Sequence, residues 1–345
     1  MSIIRAGWDT LPNTWNKKRI PMPKEITHFA LARCLGRAVP ETSLFYTPIK
    51  NYPRLFTLGA VTPDIPFYYL AGPGRERVQA LSQPFHRTCS RALLPVLKFL
   101  SRNRSEPALA LAAGVICHLV SDTQFHPLVY YYAGMDGVHK GATARHRLFE
   151  TAMDLHFYHL YPGETRLDHV VKSVEISKQA LGGYLAGLFA LDSLPIKAVG
   201  HSLNWHRGIQ SLFLSPGIKK SMAWFSQKGR PLPDKITSLV YPFREPVCLD
   251  FFSQEIHYQD PCTREKVSTT LLTIVDQTLE SALTILSMVS NVMALSKNQR
   301  HSLEGLVSDP TLPRIRPGLP VSTFTTWLGT SDLRPVLYPG SVLPF

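Results

Sequence analysis

Paired cysteines are missing from this chain, and acid is scarce. Its five cysteines (Cys34, Cys89, Cys117, Cys248, Cys262) are widely spaced, odd in number and form no C-x-x-C. That argues against a disulfide framework and against a thiolate zinc site, and it fits free thiols in a reducing compartment. No uninterrupted apolar run reaches the roughly 18 residues of a spanning helix, so no transmembrane segment is expected. The opening text, MSIIRAGWDTLPNTWNKKRIP, has no apolar h-region, and its basic cluster (Lys17, Lys18, Arg19) comes last rather than first. It does not read as a secretory signal, and the expected location is cytoplasmic. Asp and Glu total 25 against 37 Lys and Arg, a net charge of +12. Such a balance suits lipid head groups, nucleotides or nucleic acid, but the cations are scattered and read mainly as solvated faces.

Hydrophobic content of 44% over 345 residues is globular and long enough for one large domain or two ordinary ones. Helical periodicity dominates. PKEITHFALARCLG places Ile26, Phe29, Ala30, Leu31 and Cys34 at helix spacing, with Gly36 as the expected C-cap. Residues 40–75 read as loop because of Pro40, Pro48, Pro53, Pro63, Pro66 and Pro73. Further helices are expected at 84–101, 107–133, 143–160, 168–190 and 264–297, and few stretches alternate with period two. From about Asp309 the recurrent prolines exclude a continuous helix. The expectation is an all-α, multi-helix domain over 22–345 with an irregular proline-rich C-terminal segment, preceded by a peripheral tail at 1–21.

The stretch HLVSDTQFHPL at 118–128 ends an otherwise apolar run. His118, Asp122 and His126 recur every four residues and share one helix face. Imidazole and carboxylate on one face suit zinc or another borderline divalent ion. The next helix repeats the grammar with His146 and Glu150, and bundles build metal sites from inward-facing side chains on adjacent helices. Upstream candidates are His28, Asp64 between two prolines, and His86 in QPFHRTCS.

The ordered series His28, Asp64, His86, His118-x-x-x-Asp122, His126, His146-x-x-x-Glu150 resembles the zinc-dependent phospholipase C family, to which single-strand-specific zinc nucleases are similar in fold and ligand order. By motif the resemblance covers about 22–160. It implies an all-α domain holding two or three zinc ions. Asp64, His86, His118 and Asp122 would hold one; His126, His146 and Glu150 a second; His28 and a bridging Asp122 a third. Two departures stand out. Secreted members complete the third site with a processed N-terminal tryptophan, which this chain does not match, and the Asp122–His126 gap is two residues shorter than theirs. The resemblance makes Asp64 both ligand and candidate general base. Clustered divalent ions lower the pKa of a water towards about 7 and neutralise charge on phosphoryl oxygens.

Other features carry less. Glu25-x-x-His28 has di-iron spacing, but no second E-x-x-H exists. His139 is the one substitute ligand considered, while His156, His159 and His169 read as helix-end or surface residues. Tyr130–Tyr132 and Phe67–Tyr69 read as core packing, with a pocket wall as the other reading. Asp154, one turn beyond Glu150, and backbone carbonyls are both available as acceptors for ligand histidines. The resulting expectation is a zinc-dependent phosphoric diester hydrolase of phospholipase C type, acting on a phospholipid or another phosphodiester, with peripheral membrane-surface contact. A nuclease of the same fold, and a non-catalytic helical protein with a structural zinc cluster, are the alternatives. Nucleic acid ranks below lipid because the positive charge is diffuse.

Overall fold

A computed structural model describes residues 25–87, 90–134, 139–191, 196–227, 238, 240–241, 249–261, 263–294 and 305–317. The expected tail at 1–21, Cys89, Cys248, Cys262 and the final prolines beyond Pro317 lie outside the described residues.

The architecture is all-α. In chain order come α1 (Glu25–Ala38), α2 (Tyr46–Asn51), α3 (Pro53–Gly59), a 3-10 helix (Thr62–Tyr68), α4 (Arg75–Gln79), two further 3-10 helices (Ala80–His86 and Ser90–Leu93), and α5 (Leu94–Arg102). Then follow α6 (Glu106–Ala133), α7 (Ala142–Leu160), α8 (Leu167–Lys172), α9 (Lys178–Leu188), α10 (Ile196–Leu214) and α11 (Pro216–Gln227). The described chain closes with α12 (Leu249–Ser253), an antiparallel pair β1 (Ile256–Gln259) and β2 (Lys266–Thr269), α13 (Leu271–Ala294) and a 3-10 turn (Leu306–Ser308).

The organising element is α6. From Ala108 to Cys117, about three turns, it is apolar and buried on every side, and α1, α2, α3, α5, α7 and α13 all pack against it. Where α3 crosses α6, Gly59 and Gly114 let the two backbones touch. A Cβ built on Gly114 would lie 2.1 Å from the Phe56 carbonyl oxygen, and one on Gly59 2.4 Å from that of Leu111. Two helix starts borrow distant carboxylates for their unsatisfied N–H groups. Asp154 of α7 accepts from Thr27 N at 2.8 Å, and Glu175 accepts from Arg54 N and Leu55 N at 2.8 and 3.1 Å.

Several expectations need correction. Gly36 does not end α1, which runs on to Ala38; it sits under the rings and methyls of Phe56 and Ile49. The proline-rich stretch 40–75 is largely short helices, because Pro53 and Pro63 occupy first-turn positions, where a missing N–H costs nothing. Helix 84–101 is two 3-10 turns leading into α5. The 168–190 helix divides into α8 and α9 because the Ser177 hydroxyl caps Ala180 N and starts a new helix. Residues 266–269 form β2 before α13 begins, a strand too short to show alternation. Helices α10 and α11 were not anticipated. By length and composition two helices also suffice to cross a bilayer, against the expectation that none would. In α6 94% of the apolar window is buried inside the protein, as in a core helix; in α13 39% is, along one stripe from Leu271 to Met293 with Asp276 and Glu280 opposite.

Candidate metal centre

The second half of α6 turns its polar face towards α1, α7 and the 3-10 segments. His118, Asp122 and His126 stack along that face, and Asp122 stands among four imidazoles. Its Oδ2 lies 3.3 Å from His118 Nε2 and 3.7 Å from His86 Nε2. Its Oδ1 lies 3.5 Å from His28 Nε2 and 3.8 Å from His126 Nε2. One carboxylate thus joins α1, the 3-10 helix ending at His86, and two turns of α6. Asp64 Oδ1 adds a contact of 3.0 Å to His86 Nε2. Glu150 of α7 reaches His146 Nε2 at 2.8 Å and His126 Nε2 at 3.9 Å.

These donor atoms fall into three close groups: His86, His118 and Asp122; His126, His146 and Glu150; and His28, Asp64 and His118. The second group coincides with the set that the resemblance implies. The third differs from it, placing His28 with Asp64 and His118, because the His28 ring stacks on His118 with centroids 4.4 Å apart. His139 belongs to none of the groups.

The imidazoles are oriented from behind. His118 Nδ1 is bonded to the Ala60 carbonyl at 2.9 Å, His86 Nδ1 to the Ser82 carbonyl at 2.9 Å, and His126 Nδ1 to the carbonyl of Pro317. A carbonyl can only accept, so each Nδ1 carries a proton directed away from the cluster and each Nε2 faces the carboxylates. This is the arrangement of metal-ligating histidines. Asp154, the other acceptor considered, serves Thr27 N, Thr27 Oγ1 and the Tyr241 hydroxyl instead. Burial pushes its carboxyl up to about 6 against those hydrogen bonds.

The cluster's charges are strongly coupled. Burial opposes a charged His118, but Asp122 and Asp64 outweigh it and push the ring up to about 9. Burial and the neighbouring His118 push His28 down to about 4, leaving it neutral. Burial alone would raise the Asp64 and Asp122 carboxyls, yet the surrounding imidazoles hold both well below the usual carboxylate range. His28 Nδ1 and His118 Nε2 are buried without a hydrogen bond. Donors bonded to one zinc lie about 3–4 Å apart, which is the range of most separations here. Inward-facing Nε2 atoms, ionised carboxylates and buried ring nitrogens with no hydrogen bond form a donor set that fits zinc.

Residues 27–190 match the family described as zinc dependent phospholipase C. That stretch of the chain carries the family's domain. No curated protein and no solved structure matches the chain. All eight residues in the family-like series lie between 27 and 190, whereas α10, α11 and the segment 305–317 lie beyond the matched part.

Around this phospholipase C-like centre the aromatic runs divide their roles. Tyr130 lies against His126 and His146, with centroids 5.3 and 5.1 Å away, and Phe67 lies 5.2 Å from His86. Tyr132 stacks on Phe149 in the core, as core packing predicts. His156 is not a surface residue; it is buried against Phe252. Sequence reasoning also missed a buried polar cluster behind the centre. Glu25 accepts from Gln210 Nε2 at 3.2 Å and from the Tyr68 hydroxyl at 3.1 Å, and it pairs with His206, whose ring stacks on Tyr68. The signal was present: Ser202, His206 and Gln210 repeat every four residues along α10, and all three are buried.

Proposed function

We propose that this chain is a zinc-dependent phosphodiesterase of phospholipase C type, hydrolysing a phospholipid or a related phosphodiester. The observation that carries the reading is the Asp122 carboxylate shared among four imidazoles, with Asp64 and Glu150 closing the cluster on either side. Bound zinc ions would supply Lewis acidity, lowering the pKa of a water and neutralising charge on the phosphoryl oxygens.

The chain's own residues do the rest. Asp64 has 31% of its side chain exposed, against 7% for Asp122 and 9% for Glu150. It is the carboxylate open to solvent, and being ionised it can only accept. In this reading Asp64 orients the attacking water and takes its proton as the water oxygen approaches phosphorus. His86, held by Asp64 and the Ser82 carbonyl, fixes the side of the centre from which that water comes. Tyr130 and Phe67 wall the two ends. An open, solvent-reached carboxylate at the cluster's edge favours catalysis over a closed structural site.

Contact with an anionic lipid surface is part of the proposal. Residues 193–233 contain Lys197, Arg207, Lys219, Lys220, Lys228 and Arg230 and no Asp or Glu. Along α10 the exposed face runs through Lys197, His201, Trp205 and Leu212, and Trp224 is exposed on α11. Tryptophan and lysine on one face suit a head-group interface. The opposite face of α10 packs against the 3-10 helix that carries Asp64. A cytoplasmic location is proposed as well, supported by the free thiols of Cys34 and Cys117.

The test joins metal analysis of the purified protein to hydrolysis of a phosphatidylcholine analogue and of single-stranded DNA. Zinc together with lipid-analogue turnover is expected. Faster cleavage of the DNA would move the protein to the nuclease reading, and zinc without turnover of either would leave a structural cluster.

A further inference from the structure

The third outward acceptor of the metal centre comes from far along the chain. His126 Nδ1 is bonded to the carbonyl of Pro317, 191 residues later. The neighbouring Arg316 N–H donates to Thr123 Oγ1 at 2.8 Å, and the same hydroxyl donates to the Leu119 carbonyl at 2.7 Å. Ile315 is 1% exposed and belongs to the main core, and Leu306 is buried with it. The segment therefore has apolar anchors, one hydrogen bond to α6, and a carbonyl aimed at a single histidine. Pro310, Pro313 and Pro317 keep it from becoming a helix, so its carbonyls are not consumed by a helical ladder. His86 and His118 are supported differently, by Ser82 and Ala60 within the family-matched residues 27–190.

We propose that residues 306–317 form a C-terminal strap that positions His126 and so sets the zinc affinity of the His126–His146–Glu150 group alone. The proposal rests on the zinc reading given above. Its logic is that an imidazole whose far nitrogen is tied to an acceptor is fixed in tautomer and rotation, and that losing such a support typically weakens metal binding roughly 10- to 100-fold. Only one of the three supported histidines depends on the strap. Its loss must therefore weaken one class of zinc and spare the other.

The experiment uses the full chain, with zinc measured by chelator competition and folding by circular dichroism. Thr123→Val removes the hydroxyl that receives Arg316 N–H while keeping the side chain's shape, and Thr123→Ser restores it. Ile315→Ala loosens the strap from its core anchor without touching α6. His126→Ala marks which zinc class belongs to the group. Thr123→Val and Ile315→Ala are expected to weaken the class that His126→Ala removes by roughly 10-fold or more, with Thr123→Ser close to the unsubstituted protein. Titrations of both variants superimposing on the unsubstituted protein, while His126→Ala loses its class, would overturn the strap and leave the zinc reading standing. Equal weakening of both classes would overturn it too, as a general loss of structure. If His126→Ala changes no zinc class, the strap proposal and the metal reading fall together.

Discussion

Replacing Gly114 by alanine should damage the metal centre from a distance. Gly114 lies one helical turn before His118, at the point where α3 touches α6. The added Cβ would sit 2.1 Å from the Phe56 carbonyl oxygen, 2.7 Å from Gly59 Cα and 2.8 Å from Ala60 N. A close C···O contact is about 3.3 Å, so α3 must retreat by about 1.2 Å. These neighbours are backbone atoms and cannot rotate away. Ala60 moves with α3, and its carbonyl holds His118 Nδ1 at 2.9 Å; a retreat of that size takes the pair to about 4 Å, beyond hydrogen-bonding range. Overpacking costs about 1–3 kcal/mol, and a buried imidazole left without its acceptor costs about 1–3 kcal/mol more. The expected loss is therefore about 2–6 kcal/mol in urea denaturation of the metal-free protein, with zinc affinity at the His118 group falling roughly 10- to 100-fold. Gly183→Ala is the control: it lies in α9 with nothing within 4 Å of the added carbon, and should stabilise by about 0.5–1 kcal/mol. A Gly114→Ala protein within about 0.5 kcal/mol of the original, with unchanged zinc affinity, would refute the account of how α3 positions His118.

Three further outcomes are expected. Asp122→Asn should lower both bound zinc and hydrolysis, since its carboxylate meets four imidazoles, whereas Asp168→Asn, which faces Arg166 and Lys172, should change neither; equal behaviour of the two variants would speak against the centre. Zinc loading should release protons, because the metal-free fold raises His118 to about 9. The charged ring stabilises that fold fully below about 6.5 and less as pH climbs through about 9, so metal-free stability should fall over that window while zinc affinity rises, readable by calorimetry in two buffers. Trp205→Ser should weaken binding to anionic vesicles and slow hydrolysis of vesicle substrate while leaving a soluble phosphodiester substrate unaffected; equal slowing on both substrates would remove α10 from the membrane reading.

The side chains gathered at the centre were readable in advance because helices turn spacing into geometry. His118, Asp122 and His126 had to share a face once α6 was a helix, and His146 and Glu150 had to do so on α7. Their supports were not readable in the same way. Ala60, Ser82 and Pro317 act through backbone carbonyls, which every residue possesses, so nothing in the identity of those residues announces the role. Gly59 and Gly114 were equally silent: a single glycine inside a helix has no period, and its purpose emerges only when the other helix is laid against it. The stripe Ser202, His206, Gln210 on α10 is the opposite case. It obeys the same every-fourth-residue rule as the metal centre and was legible, but α10 itself went unread amid the surrounding glycine and proline.

The placement of Asp122 follows from what α6 has to be. A carboxylate in the interior of an apolar helix is unfavourable by several kcal/mol unless it is paired. Here the pairing is supplied by imidazoles from three separate elements, whose like charges would repel if more than one were protonated. His118 charged and His28 neutral is how the metal-free fold resolves that conflict. It is an incomplete resolution, since His28 Nδ1 and His118 Nε2 still lack hydrogen bonds. Divalent ions would satisfy the carboxylates and the ring nitrogens together. The rigidity that makes α6 a good core helix also keeps these groups from relaxing apart when no ion is bound. Burial, crowding and backbone-held rings therefore point one way: the fold itself holds the donor groups together, which is the preformed geometry that the proposed chemistry requires.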